Sequence, residues 1–164
     1  MVTVAFLRSN LFIAFICLAL LVYSCKNGAP EVSANIYLVA HDNTKYDGKI
    51  FGCGNILVPV VKNIISEPNS VEAVLNELLK TKDKEELKNY VKGSGLIVFQ
   101  VTIANAAVDV YLKGELTIND PCDIPCIQEQ LSETAKQFPG IEKVNFYINN
   151  QKLDTYLKIA KQGF

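Results

Sequence analysis

The sequence predicts an α/β fold, a two-layer sandwich in which a mixed sheet of about five strands carries two helices on one face, in the order ββαββαβ. Three observations point there. β-branched and aromatic runs with period-two alternation recur along the chain. Between them lie two segments whose apolar residues repeat at helical spacing. The length, 164 residues, suffices for one domain with a sizeable core and is short for two.

Taken in order, NIYLVA at 35–40 reads as the first strand and the turn-rich HDNTKYDG at 41–48 as a loop. ILVPVV at 56–61 is the second strand, where Pro59 has no N–H for a ladder and implies an edge position or a bulge. Val71, Val74, Leu75 and Leu78 recur at helical spacing and define a buried helix face, with Asn69 and Glu72 as a capping pair. That helix, or a second short one, is expected to run on through KEELKNYV at 84–91. Ile97, Phe99, Val101 and Ile103 alternate on one arm, and Val108, Val110 and Leu112 on the next. Joined by a short turn at Asn105, they make an antiparallel hairpin. From about Ile124 a second helix turns Ile127, Leu131, Thr134, Ala135 and Phe138 inward, and Pro139-Gly140 stops it. Val144, Phe146 and Ile148 share one side of the last strand, 141–148, before a tight turn at Asn149 and Asn150.

Charge excludes one class of partner. Lys+Arg 16 against Asp+Glu 17 gives a net charge of −1, without the basic excess of a nucleic-acid surface. Arg8 is the only arginine and His41 the only histidine, which leaves little material for phosphate clamps or His-based catalysis. No Gly-rich phosphate loop, nucleophile elbow or zinc-binding His pair is present. His41-Asp42 fits a solvated turn better than an acid–base pair. Glu115, Asp120 and Asp123 lack the twelve-residue calcium loop with its glycine. No cofactor and no catalytic set are expected.

The N-terminus sets the compartment. Arg8 precedes the apolar run LFIAFICLALLVY at 11–23, shorter than the roughly 20 residues of a membrane span and suited to a signal-peptide core. LVYSC at 21–25 resembles a bacterial lipobox, with Val22 and Tyr23 departing from its commoner residues. The expected organisation is a lipoprotein signal peptide at 1–24, lipidation at Cys25, a tether at 25–34 and a domain at 35–164. The rest of the chain then lies outside the cytoplasm, anchored to the membrane by lipid.

Cys53, Cys122 and Cys126 admit three readings. A redox pair at Cys122 and Cys126 has three residues between the thiols, where thioredoxin-type sites have two, and Asp123 would raise a thiolate's pKa. A zinc site would take all three with His41, although Cys53 stands alone and an oxidising compartment works against thiolates. The third reading is a structural staple.

Several segments resemble the GerMN domain of sporulation and germination proteins: LVPV after a glycine-rich turn, the EAVLNELL helix, the hairpin, and the ending QFPGIEKVNFYINNQKL. The resemblance covers about 35–153 and implies an extracytoplasmic, non-catalytic module with a structural or partner-binding role. It also implies that the GCG turn at 52–54 pairs with the Cys-Asp-x-Pro segment, as a disulfide between Cys53 and Cys122. Cys126 stands where the resemblance implies a basic residue.

The expectation is therefore a lipid-anchored domain at the bacterial cell envelope, partnered by an envelope protein, peptidoglycan or a second copy. The alternative is an exported module binding a small ligand or metal at Cys53, Cys122 and Cys126. Asp109, Tyr111 and Lys113 on the hairpin, with Asn145 and Tyr147 on the last strand, are the candidate partner face. An ordinary solvated sheet face has the same composition.

Overall fold

β1 (Glu31–His41) and β3 (Asn55–Ile65) form a long antiparallel pair, in register from Glu31 opposite Ile65 to His41 opposite Asn55. β2 (Lys49–Phe51) adds to the first three residues of β3, giving the order β1-β3-β2. The computed structural model describes residues 30–41, 45–66 and 70–162; the signal segment, Cys25, Asp42 and Asn69 lie outside the described residues. Alternation sends Ala34, Ile36, Leu38 and Ala40 inward with Ile56, Val58 and Ile64. β1 starts earlier than the expected boundary at 35. In EVSA, Val32 and Ala34 point to the core, so residues 31–34 are strand and not tether.

Tyr37 lies opposite Pro59, where β2 has already ended. The Tyr37 N–H donates to Thr134 Oγ1 (3.2 Å) and its C=O accepts from Gln130 Nε2 (2.8 Å), so both peptide groups face away from β3. The ladder therefore loses nothing at Pro59, whose missing N–H falls on the open side as the sequence predicts.

α1 (Val71–Lys80) buries Val71, Val74, Leu75 and Leu78, and its cap is Ser70, whose Oγ accepts from the Ala73 N–H at 3.2 Å. The helix does not continue through 84–91. The buried Asn89 side chain donates to the carbonyls of Leu78 and Thr81, both at 2.8 Å, closing the helix end. Beyond it the chain runs extended: Lys88 exchanges backbone bonds with Val39, while Leu87 and Val91 are buried. The Leu87 and Val91 spacing that suggested a helix is satisfied by tertiary burial.

The second sheet has the order β4 (Ile97–Ala104), β5 (Ala107–Lys113), β6 (Lys143–Ile148) and β7 (Gln151–Lys152); only β5 and β6 are parallel. Its two tight turns have left-handed central residues, Asn105 with Ala106 and Asn149 with Asn150, as a two-residue hairpin loop requires. The hairpin's alternation is interrupted by a bulge between Val98 and Gln100. Val98 is buried and Phe99 exposed, so the expected single row from Ile97 to Ile103 does not exist.

α2 (Asp123–Lys136) buries Ile127, Leu131, Thr134 and Ala135 as predicted. α3 (Leu153–Lys161), beyond the last element the sequence predicts, buries Leu153 and Leu157, and its Tyr156 hydroxyl accepts from the Leu116 N–H at 3.3 Å.

The fold is α/β, but as two sheets and three helices among the described residues, not one five-stranded mixed sheet with two helices. The reason is the outer edge of β1. Asn35 exchanges bonds with the Gln137 amide (2.8 and 2.6 Å), Tyr37 bonds Thr134 and Gln130, and Val39 bonds Lys88. Side chains of α2 and of the residue following it occupy the positions that another strand would need. One core joins the layers: Ile36 and Leu38, Leu75 and Leu78, Val110 and Leu112, Ile127 and Leu131 belong to the same buried cluster.

Candidate functional site

Two regions hold the residues singled out by sequence. The first is the corner where β3 meets the start of α2. Cys53 sits between two glycines in a left-handed conformation (φ 61°), and Gly54 follows at φ 71°. The turn brings Cys53 against Cys122, and the two are joined by a disulfide with Cα atoms 6.0 Å apart across a separation of 69 residues. Gly52 eases the approach: a Cβ there would sit 3.1 Å from the Pro125 ring, a contact the ring would have to yield to by a small shift. Pro125 lies in the first turn of α2, where a missing N–H costs no helical bond. Upstream, Asp123 Oδ2 accepts from the N–H groups of Asn119 (2.8 Å) and Asp120 (3.2 Å), and Asp120 Oδ1 accepts from Cys122 N–H (2.7 Å).

Behind the disulfide, Asn55 is almost wholly buried and fully bonded. Its Nδ2 donates to Gly52 O (3.0 Å) and to Cys126 Sγ (3.2 Å), and its Oδ1 accepts from His41 Nδ1 (3.0 Å). The Cys126 thiol in turn donates to Cys122 O at 3.2 Å. Burial, and then the Asp123 carboxylate, push this thiol up to about 12. Tyr90 beside it is also raised to about 12, by burial first and then by the Cys126 and Asp123 charges. A protonated, buried sulfur is neither a nucleophile nor a soft metal ligand. The metal reading needs three free thiolates here, and two of the sulfurs are bonded to each other. Among the described residues no three His, Cys, Asp or Glu side chains gather as a metal site.

Gln130 was not anticipated. It is fully buried on α2, one turn from Cys126 and one from Thr134. Its Oε1 accepts from Tyr90 N–H (2.8 Å) and its Nε2 donates to Tyr37 O, so one side chain ties β1, the 84–91 segment and α2 together. Its helical spacing from Thr134 was available as a signal; the polarity of Gln130 hid it.

The second region is the outer face of the β4–β7 sheet. Tyr111 pairs with Tyr147 and Asp109 with Asn145 along the parallel strands. The tyrosine rings stack with centroids 4.8 Å apart and planes 13° apart, and Asn145 Nδ2 donates to Asp109 Oδ1 at 2.6 Å. Lys113 places Nζ 3.3 Å from the centroid of the Phe99 ring, a cation–π contact. All five residues of the candidate partner face thus lie on one side of one sheet, together with Phe99, which sequence reasoning assigned to the inward row. The bulge is what brought it out.

Fold and site together define a disulfide-tied α/β module with an open, aromatic sheet face. The chain belongs to the Germane family, described as sporulation and spore germination, whose profile matches residues 35–154. Two solved structures from Bacillus subtilis are similar to it. The tandem GerMN domains of the sporulation protein GerM align with a TM-score of 0.55 and 17% identity, over 74% of this chain and 40% of that one. The first GerMN domain of the same protein aligns with a TM-score of 0.54 and 17% identity, over 74% of this chain and 85% of that one. At this identity the likeness is one of fold, and this chain spans less than half of the tandem structure. No curated protein matches the chain.

Proposed function

We propose that this chain is a non-catalytic module of the bacterial cell envelope, exported and held to the membrane by a lipid on Cys25. Its role is to bind a partner through the outer sheet face of Asp109, Tyr111, Lys113, Asn145 and Tyr147. The observation that carries the reading is the contrast in side-chain chemistry. The cysteine corner is closed into structural bonds, whereas the ordered aromatic and polar groups of the sheet face remain on the surface. Family membership and a disulfide suited to an oxidising compartment support the same reading.

The test has two parts. Labelling cells with a fatty-acid analogue is expected to mark the wild-type chain and not Cys25→Ala; label in both, or in neither, removes the anchor from the proposal. A photoreactive residue in place of Tyr111 is expected to cross-link to one envelope component in intact cells. The same probe at the exposed Lys161 of α3 serves as the control. Equal or absent yields from the two positions would refute the face.

A further inference from the structure

Among the described residues, β4 is the least guarded of the open strand edges. β1 is capped by the Gln137, Thr134 and Gln130 side chains and by the Lys88 backbone. β3 carries Pro59 and Lys62, β2 has three residues with Lys49 among them, and β7 has two with Lys152. β4, IVFQVTIA, ends the second sheet with no charge and no proline over eight residues; the bulge at Val98/Gln100 interrupts it but leaves 100–104 regular. Natural edges of that length are ordinarily blunted by charge, proline, cover or a bulge, because their unpaired peptide groups template another strand; here the one bulge lies near the start of β4 and leaves its second half open. Three large apolar side chains are exposed on this strand: Ile97 (51%), Phe99 (55%) and Ile103 (61%).

The direction of its peptide groups follows from its neighbours. Ala106 O accepts from Lys143 N–H (3.2 Å) and Leu112 O from Asn149 N–H (3.0 Å), so even-numbered residues of β5 face β6. Ala107, Asp109 and Tyr111 therefore exchange bonds with their partners Ala104, Thr102 and Gln100. Val101 and Ile103, opposite Val110 and Val108, are left with N–H and C=O directed to the open edge.

From this we infer that β4 pairs antiparallel with β4 of a second copy about a two-fold axis at Thr102, joining two four-stranded sheets into one. The inference goes beyond the partner-binding reading above: it places a second copy on the β4 edge that borders the outer face and leaves the five residues of that face open. In this register the outward peptide groups of Val101 meet those of Ile103 in the partner copy, and the reverse, which makes four backbone bonds. The same pairing sets Val101 beside the exposed Ile103 on the inner face. The two Thr102 side chains face each other as the close, non-hydrogen-bonded pair. An uncharged strand meets no like charge when it meets itself, which is the argument for a second copy over a charged partner.

The full chain, purified in detergent, is expected to dimerise with concentration in sedimentation and native mass spectrometry. Ile103→Pro removes an N–H that the hairpin does not use. It is expected to raise the dissociation constant about twenty-five-fold, through two lost intermolecular bonds at roughly fivefold each, without lowering the thermal midpoint at dilutions where neither form dimerises. Should that variant also unfold the domain, Thr102→Lys on the exposed face provides the second test, by opposing two ammonium groups at the axis. Thr102→Cys is expected to link to itself on mild oxidation, as mapped by peptide mass, and Gln100→Cys is not. A monomer at all concentrations, a dimer indifferent to both edge variants, or equal linking of the two cysteines would overturn the pairing. Linkage from position 102 to another protein, with none to a second copy, would also overturn it and would leave the partner-binding reading standing.

Discussion

The cysteine corner and the outer sheet face are built from similar materials and put them to opposite use. At the corner, Asn55, Cys126, His41, Asp120 and Asp123 bond one another or the backbone, and the two remaining cysteines close a covalent link. On the sheet, Tyr111, Tyr147, Asp109 and Asn145 also contact one another, but their outer surfaces stay in solvent. The difference is one of what each group would lose. Removing a buried partner strands a polar group away from water, at a cost of about 1–3 kcal/mol, whereas removing an exposed one returns its neighbour to water. Mutations at the corner are therefore expected to read out as stability, and mutations on the sheet as binding.

The largest break in that comparison is the disulfide. Cys53→Ser with Cys122→Ser, or reduction of the wild type, is expected to lower unfolding free energy by roughly 4 kcal/mol, since the link closes a long loop in the unfolded chain. Urea unfolding with and without reductant measures it. A loss near zero would show that the Asn55 network holds the corner unaided.

Next is Gln130→Ala, which strands the Tyr37 carbonyl and the Tyr90 N–H together. Its expected cost is about 2–4 kcal/mol, read from the same urea curves. Unprotected amide exchange at Tyr90, Val39 and Lys88 would accompany it.

Alkaline pH sharpens the corner's side of the comparison. The Cys126 thiol is raised from 9.0 to about 12, so its contribution is whole below about pH 9 and is lost as pH rises through about 12. Tyr90, raised from 10.0 to about 12, acts in the same direction over the upper part of that window. Urea midpoints in wild type are expected to fall more steeply over that range than in Cys126→Ala. Thiol reagents at pH 8 are expected to leave Cys126 unmodified until the protein unfolds.

On the open side, Tyr111→Ser removes one ring of the stack, worth about 0.5–1.5 kcal/mol, so stability falls little while cross-linking from a photoreactive residue placed at position 113 is lost. A stability loss as large as that of Gln130→Ala would mean that the face belongs to the core. The smallest effect is expected at the hairpin turn. Ala106 holds φ 60°, a conformation that costs a non-glycine residue about 1–2 kcal/mol; Ala106→Gly relieves it against a comparable gain in unfolded-state freedom. The net change in unfolding free energy is expected within roughly 1 kcal/mol, read from the urea curves.

How much of this was legible in the sequence depends on whether the signal was local. Helix faces were readable because Val71, Val74, Leu75 and Leu78, or Ile127 and Leu131, repeat within a single element. Strands β5 and β6 announced themselves by alternation, β1 and β3 by β-branched and aromatic composition, and Pro59 announced an open side. The 84–91 segment misled because Leu87 and Val91 are spaced as on a helix, yet the conformation is chosen by Asn89 and by pairing with Val39. The bulge at Phe99 has no composition of its own in this strand, and it turns Ile97 and Phe99 to the face opposite Val101 and Ile103.

The sequence by itself determined the class of secondary structure, most of the core, and the residues that share the outer sheet face, because these follow from periodicities of two and of 3.6 along a single segment. Only the tertiary structure decided that β1 stays out of the second sheet, that Gln130 and Asn55 are structural hubs, and that β4 is left as an open edge guarded by a bulge alone. Those outcomes depend on which polar groups meet across a hundred residues of chain. No local pattern encodes a hydrogen bond between Asn35 and Gln137.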